Sequence, residues 1–167
     1  MAKEAFTQKR QLLTNKKLNI NTRKNFVKCY VWSVLLYDCE TWTINRHDKK
    51  KLEAIEMWIW RRLVKISWTE RKSNVDVLNQ VGEKIILLNT IKEKSGKMFG
   101  HLFRHNLFMT NIFKGRINDY KGRGRPRKAY IEEMIKQAGC SRYIEIKRLA
   151  SNREEWKARF ATIRQGL

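Results

Sequence analysis

The apolar positions of this chain recur every three or four residues along most of its length, which is the spacing of one face of an α-helix. Phe26, Tyr30 and Val34 form one such stripe. A second, longer stripe consists of Leu52, Ile55, Ile59, Leu63 and Ile66, and a third of Ile85, Leu88, Ile91, Met98 and Leu102. Because 1 proline and 8 glycines leave few breaks in this pattern, the sequence predicts an all-α fold.

Short polar side chains stand just before several stripes, where they can accept hydrogen bonds from the free N–H groups of a first helical turn. The candidate caps are Asn19, Asn45 or Asp48, Ser73 with Asn74, Ser141, and Asn152 with Glu155 at capping-box spacing. Gly82 and Gly139 follow shorter stripes and are predicted to end those helices. Gly96 and Gly100 lie four residues apart in the third stripe, which predicts the close approach of a neighbouring backbone.

The chain divides by composition into four regions. We predict a basic entry segment over 1–20, a helical region over 21–110, a basic linker over 111–128 and C-terminal helices over 129–167. The linker is predicted because residues 114–128 hold seven basic side chains, one acidic side chain, three glycines and the only proline.

Charge narrows the class of partner. Lysine and arginine number 37 against 16 acidic residues, which gives a formal charge of +21 and predicts a polyanion such as the phosphate backbone of RNA or DNA. No membrane is expected, since the apolar run Val31–Tyr37 is far shorter than the roughly 20 residues that span a bilayer. The first residues lack a secretory h-region and the 3 cysteines suggest no disulfide framework, so we expect a nuclear or cytoplasmic protein that is not secreted.

A block from Lys28 to Trp68 carries two distinctive motifs, Tyr-Asp-Cys-Glu-Thr-Trp at 37–42 and Glu-Met-Trp-Ile-Trp-Arg-Arg at 56–62, followed by Lys-Ile-Ser-Trp at 65–68. The block resembles the region just after the palm in reverse transcriptases of LINE-type (non-LTR) retrotransposons. Residues 77–105 and 121–134 resemble the following parts of the same region in the same order. The resemblance implies a thumb-like helical bundle and tail that grip template–primer or target nucleic acid. Asp38 stands where that family usually carries glycine.

The same resemblance sets an expectation about catalysis. Such polymerases place two aspartates side by side to hold two Mg²⁺ ions. This chain has no adjacent pair, since its aspartates are Asp38, Asp48, Asp76 and Asp119. We therefore expect no catalytic residue and no cofactor here, with the Mg²⁺ belonging to a palm that this sequence does not contain, and with that palm as a possible partner.

Basic helix faces are the candidate nucleic-acid contacts. The predicted site residues are Lys16, Lys17, Arg23, Lys24, Lys28, Trp60, Arg61, Arg62, Lys65, Lys121, Arg123, Arg125, Arg127 and Lys128. Trp58 and Trp60 are separated by about 200° around a helix, so they cannot face the same way. We expect Trp60, beside Arg61 and Arg62, to be the exposed one and a platform for an unpaired base.

The sequence is also compatible with other functions and sites. Arg123-Gly124-Arg125-Pro126 matches the core of an AT-hook, which would suit a retrotransposon-derived chromatin protein that reads A·T-rich minor grooves. The tryptophan-rich face could instead serve an assembly module that packs on the palm or on another copy, so the oligomeric state is open. His101 and His105 have the i, i+4 spacing of metal ligands but lack two further candidates. A short helix, Gly82 and a helix from Lys84 also resemble a helix-turn-helix.

Overall fold

The computed structural model describes residues 1–105, 107–113 and 130–165. Within these ranges the chain forms helices joined by short turns and contains no strand, so the all-α prediction is confirmed. No helix in the described ranges is long and apolar enough to cross a membrane.

Eleven α-helices are found in the described ranges. They are α1 (Ala2–Gln8), α2 (Arg10–Leu13), α3 (Ile20–Phe26), α4 (Trp32–Leu35), α5 (Arg46–Leu63), α6 (Asn74–Val81), α7 (Leu87–His105), α8 (Leu107–Phe113), α9 (Tyr130–Gln137), α10 (Tyr143–Ser151) and α11 (Arg153–Gln165). A π-helical turn, Val27–Val31, joins α3 to α4, and 3₁₀ turns occupy Cys39–Thr41 and Trp68–Glu70.

Contacts between residues divide the chain into two compact units. The first unit contains Met1–Cys39 and Ile44–Leu88, and the second contains Glu40–Thr43 and Asn89–Leu167. This boundary falls within α7, whereas the sequence-based division kept 21–110 together. The difference arises because the later turns of α7 form their core with helices that come much later in the chain.

Most predicted caps are observed. Asn19 accepts a hydrogen bond from Asn21 N–H, and Asn45 and Ser73 each form a capping box with the aspartate three residues on. Gly82 ends α6 with φ of 67°, in the left-handed region. The cap of α10 differs, because its N-cap is Arg142 rather than Ser141, and the Glu145 carboxylate accepts from both of their N–H groups.

The core of the first unit lies beneath α5. Leu52, Ile59 and Leu63 are buried there as the stripe predicts, and the Trp60 ring packs 6.2 Å from that of Trp32. The α3–α4 segment is less deeply packed than its apolar composition suggests. Its inner face is Val27 and Val31, while Tyr30 and Val34 on the other face remain exposed.

A buried carboxylate marks the start of α7. Glu56 of α5 is fully buried, and its two oxygens accept hydrogen bonds from the N–H groups of Ile86 at 3.0 Å and Leu87 at 3.2 Å. Burial raises the pKa of Glu56 above its usual value, and the two backbone donors partly oppose that rise. Because those donors are the free N–H groups of a helix N-terminus, Glu56 stabilises the start of α7 at Leu87, three residues after the predicted Lys84.

The second unit has an aromatic core. Phe99 stacks on Trp156 with ring centroids 5.9 Å apart, and Trp156 in turn lies 4.7 Å from Phe160. Gly96 and Gly100 leave the space for this packing, since a Cβ at Gly96 would overlap the Phe160 ring and one at Gly100 would overlap the Trp156 indole. The close approach predicted at these glycines is thus made by two side chains of α11, not by a neighbouring backbone.

Candidate nucleic-acid interface

An open groove of about 740 Å³ lies on the first unit. We call it the basic groove, and it is lined by Arg10, Thr14, Trp58, Arg61, Arg62, Lys65, Ile66, Ser67, Arg71 and Lys72. Six of these ten side chains are cationic and none is a carboxylate. Crowding cations around one concavity raises their mutual repulsion, and a bound polyanion relieves it.

The end of α5 forms one wall of the basic groove with an unusual residue. Ile66 N–H donates to Arg61 C=O at 3.0 Å and Lys65 N–H donates to Arg62 C=O at 3.2 Å, which is the Schellman pattern of a helix end. The residue in the left-handed position is Lys65, with φ of 61°. Glycine holds the same position after α6 and α9, where Gly82 and Gly139 each have φ of 67°. Lys65 thus carries a backbone strain that those glycines avoid.

The turn after α5 places more cations beside it. Ser67 and Glu70 form a capping box around the 3₁₀ turn, and the hydrogen bond from Ser67 N–H lowers the pKa of the exposed Glu70 carboxyl. Arg71 follows with φ of 40° and is, with Asp38 and Lys65, one of three described non-glycine residues in the left-handed region. Lys72 Nζ lies 3.4 Å from Glu70 Oε2, which is an exposed and therefore weak ion pair.

Arg61 connects the two walls. Its Nη2 donates to the Lys72 carbonyl oxygen at 2.7 Å and to Asn74 Oδ1 at 3.0 Å. These bonds hold the segment that carries Arg71 and Lys72 against the end of α5. The two walls of the basic groove are therefore linked by hydrogen bonds of the protein itself.

Trp58 supplies the aromatic surface of the groove. Its ring is half-buried, with the edge of Phe6 packed against it at a centroid distance of 5.4 Å. The Arg62 guanidinium lies 4.9 Å and Lys3 Nζ 5.5 Å from the ring centroid. An aromatic ring among cations is the combination that proteins use to hold nucleic acid without reading its sequence.

The structure brings three predicted residues together and separates others. Arg61, Arg62 and Lys65 all line the basic groove. Lys16 and Lys17 are exposed but do not line it.

Trp60 is fully buried, so the prediction that it is the exposed tryptophan of α5 is wrong. Its side of the helix points into the core with Ile59 and Leu63, and Trp58 is the ring that reaches the surface.

The predicted cations of α3 and the π turn are engaged within the protein. Arg23 Nη1 donates to the carbonyl of Leu63 at 3.0 Å, at the end of α5. Lys24 Nζ donates to the carbonyls of Val81 at 3.2 Å and Gly82 at 3.3 Å, at the end of α6. These two side chains satisfy terminal carbonyls of neighbouring helices and complement their dipoles.

Glu83 holds a cationic pair in the same region. Its Oε1 lies 3.4 Å from Lys24 Nζ and 2.9 Å from Lys28 Nζ. Lys28 also lies 6.0 Å from the ring centroid of Trp32. Glu83 thus offsets one of these two positive charges and both ammonium groups already have partners within the protein, which makes them poorer phosphate ligands than the groove cations.

The basic residues of the predicted linker and the histidine pair are the remaining candidates from the sequence. Lys121, Arg123, Arg125, Arg127 and Lys128, with the AT-hook-like segment, lie outside the described residues. His101 and His105 are exposed neighbours on α7 with ring centroids 4.9 Å apart. No group of three or more histidine, cysteine or acidic residues arranged to hold a metal occurs in the described ranges.

Sequence reasoning missed Arg10, Trp58, Arg71 and Lys72. Arg71 and Lys72 lie three and four residues after the end of the Lys-Ile-Ser-Trp motif, so the density of positive charge from Arg61 to Lys72 was a usable signal. Trp58 was recognisable as the alternative to Trp60, and only the packing of α5 decides between them. Arg10 is far away in sequence and gave no signal.

Comparison with known proteins yields no relative. No family model matches the chain, and no curated protein and no solved structure matches it significantly.

Proposed function

We propose that this chain is a nucleic-acid-binding module, equivalent to the thumb and tail of a LINE-type reverse transcriptase, that holds RNA or DNA in the basic groove without carrying out phosphoryl transfer. The observation that carries the proposal is the lining of the groove, with six cations, no carboxylate and one half-buried tryptophan. Phosphates bound there would release counterions, which is the main source of affinity in such complexes.

Two further observations support the same function. Lys65 and Arg71 are both held in left-handed conformations that cost free energy for residues with a Cβ. Strained backbone of this kind concentrates at functional sites, where a side chain must be presented in a fixed place. The motifs shared with LINE-type polymerases include Arg61, Arg62 and Lys65, three of the groove cations.

The test is a binding titration of the full chain at several salt concentrations. The probes are single-stranded RNA, an RNA–DNA hybrid, and A·T-rich and G·C-rich duplex DNA. We expect affinity to fall steeply with salt for every probe bound, and each of Arg62→Ala, Lys65→Ala and Arg71→Ala to reduce the slope of log K against log salt by about one.

Lys50→Ala is the matched control, because Lys50 is an exposed cation of α5 that does not line the groove. It should leave the slope nearly unchanged. If the groove variants behave like Lys50→Ala, the groove is not the binding site. A preference for A·T-rich duplex that is insensitive to the groove variants would favour the chromatin-protein reading through residues 123–126.

A further inference from the structure

The shape and chemistry of the groove suggest which form of nucleic acid it takes. We infer that the basic groove binds a single unpaired strand, with one base stacked on Trp58 and the flanking phosphates on the surrounding cations. The inference rests on the proposed function and adds the class of strand.

Trp58 is built as a platform. The Phe6 edge supports its ring from within the protein, and Phe6 is itself buried to 1% exposure, so the indole cannot readily turn away. An aromatic ring fixed at the wall of a cationic groove can stack on any base, because every base has a π-face. In a duplex the bases already stack on one another and their faces are unavailable to the protein.

The size of the groove points the same way. About 740 Å³ lies within the range of roughly 300–1,000 Å³ typical of small-molecule sites, so a short stretch of one strand can enter. A duplex is too broad for such a space and would touch only the cations at its rim. Trp58 would then contribute nothing to duplex binding.

Arg62 marks the place of the base. Its planar guanidinium lies over the Trp58 ring, 4.9 Å from the ring centroid, and covers that part of the aromatic face. A stacked base interacts with an exposed ring more strongly than a solvated cation does. A base would therefore take the place of the guanidinium, which becomes free to pair with a neighbouring phosphate.

The decisive variants are Trp58→Leu, which keeps an apolar side chain but removes the ring, and Trp58→Phe, which keeps a smaller ring. For a single-stranded RNA we expect Trp58→Leu to weaken binding by about 5- to 100-fold with the salt slope unchanged, and Trp58→Phe to lose much less. The same RNA paired to a complementary DNA strand should bind all three proteins equally. Thermal unfolding of each variant verifies that it is folded at the assay temperature. If Trp58→Leu is not folded there, Trp58→Phe is compared with the natural chain instead.

Failure of this inference is separable from failure of the proposed function. If Lys65→Ala lowers the salt slope but Trp58→Leu leaves single-strand affinity unchanged, the groove binds phosphate and the stacking inference is wrong. Equal losses for the single strand and the hybrid would also overturn it, since the ring would then act only through the shape of the groove. If no groove variant changes the salt slope or the affinity, both the stacking inference and the proposed function are wrong.

Discussion

Trp58 in the first unit and Trp156 in the second show two opposite uses of the same side chain. Trp156 is 3% exposed, stacks on Phe99, and its indole Nε1 donates to the Gly96 carbonyl at 2.8 Å. Trp58 is half-buried, makes an edge contact with Phe6, and has the Arg62 guanidinium and Lys3 Nζ over its ring. The neighbours decide the use, since glycines on α7 make room for Trp156, whereas arginine and lysine side chains surround Trp58.

This difference teaches that aromatic content alone does not identify a binding surface. The second unit has the denser aromatic cluster, yet its rings face one another across α7, α9 and α11 and leave little ring surface for a ligand. The first unit also exposes Tyr30 and Tyr37, but Trp58 is the aromatic ring that lines the basic groove, where six cations converge. A ring becomes available to a ligand when charge, rather than another ring, occupies its open side.

The largest effect expected is on stability at Trp156. Trp156→Ala should cost about 3–5 kcal/mol, because it opens a large cavity and removes the hydrogen bond from the indole to the Gly96 carbonyl. Trp58→Ala should cost less, since part of its ring is already in solvent. Urea unfolding of both variants checks the comparison. Equal losses of free energy would mean that Trp58 is a core residue after all.

Gly100 tests why Trp156 can be buried. Gly100→Ala should destabilise the protein by about 1–3 kcal/mol, because its Cβ would overlap the Trp156 indole and force the ring to move. Gly82→Ala is the matched control, since its Cβ would meet only Lys24 Nζ at 3.9 Å and its cost comes from φ of 67° alone, about 1 kcal/mol. Gly100→Ala should also shift tryptophan fluorescence, whereas Gly82→Ala should not.

Glu56, a residue of the first unit, makes the stability of the protein depend on pH. Because burial raises its pKa in the folded state, the native protein binds this proton more tightly than the unfolded chain does. Its contribution to stability is thus complete below about pH 4.5 and declines as pH rises through the folded-state value. In the second unit, the described buried polar residues are Ser95 and Thr110, which do not titrate in this range.

The free energy of unfolding in urea is measured from pH 4.5 upward for the natural chain and for Glu56→Gln. The difference between the two values at each pH gives the contribution of the Glu56 proton. That difference should become less favourable to the natural chain with rising pH. A difference that is flat with pH would show that Glu56 titrates alike in the folded and unfolded states.

The smallest effect expected concerns Lys65. Lys65→Gly should stabilise the protein by at most about 1 kcal/mol, because relief of the left-handed strain is partly offset by the greater freedom of glycine when unfolded. The same change should weaken nucleic-acid binding and lower the salt slope by about one. Lys65→Asn is the control, since asparagine tolerates the left-handed conformation without adding freedom to the chain. A Lys65→Gly protein that is more stable and binds equally well would remove Lys65 from the site.

Local features of the fold were predictable from sequence. The caps at Asn19, Asn45 and Ser73 and the end of α6 at Gly82 each depend on a few adjacent residues, so short-range chemistry decides them. The start of α7 was predicted three residues early because Glu56, which receives its first N–H groups, lies about thirty positions away. Interactions at that separation leave no periodic signal.

The site was only partly predictable for the same reason. Arg61, Arg62 and Lys65 were predicted because they lie on a basic helix face, and so was Lys24. Nothing local in the sequence shows that the Lys24 ammonium is bound by Glu83 and two carbonyls. Trp58 and Trp60 differ only in which side of α5 meets α4. Choosing between them requires the helix packing, which the sequence pattern constrains but does not determine.

The hydrogen bonds of Arg61 have a kinetic and calorimetric consequence. Because these bonds are made within the protein and hold the loop of Arg71 and Lys72 against the end of α5, association should require no ordering of that loop. Encounter with a polyanion should then be limited by diffusion and accelerated by the field of the six cations, so the association rate would carry much of the salt dependence. The heat-capacity change on binding should be small, as for docking onto a finished surface rather than for folding coupled to binding.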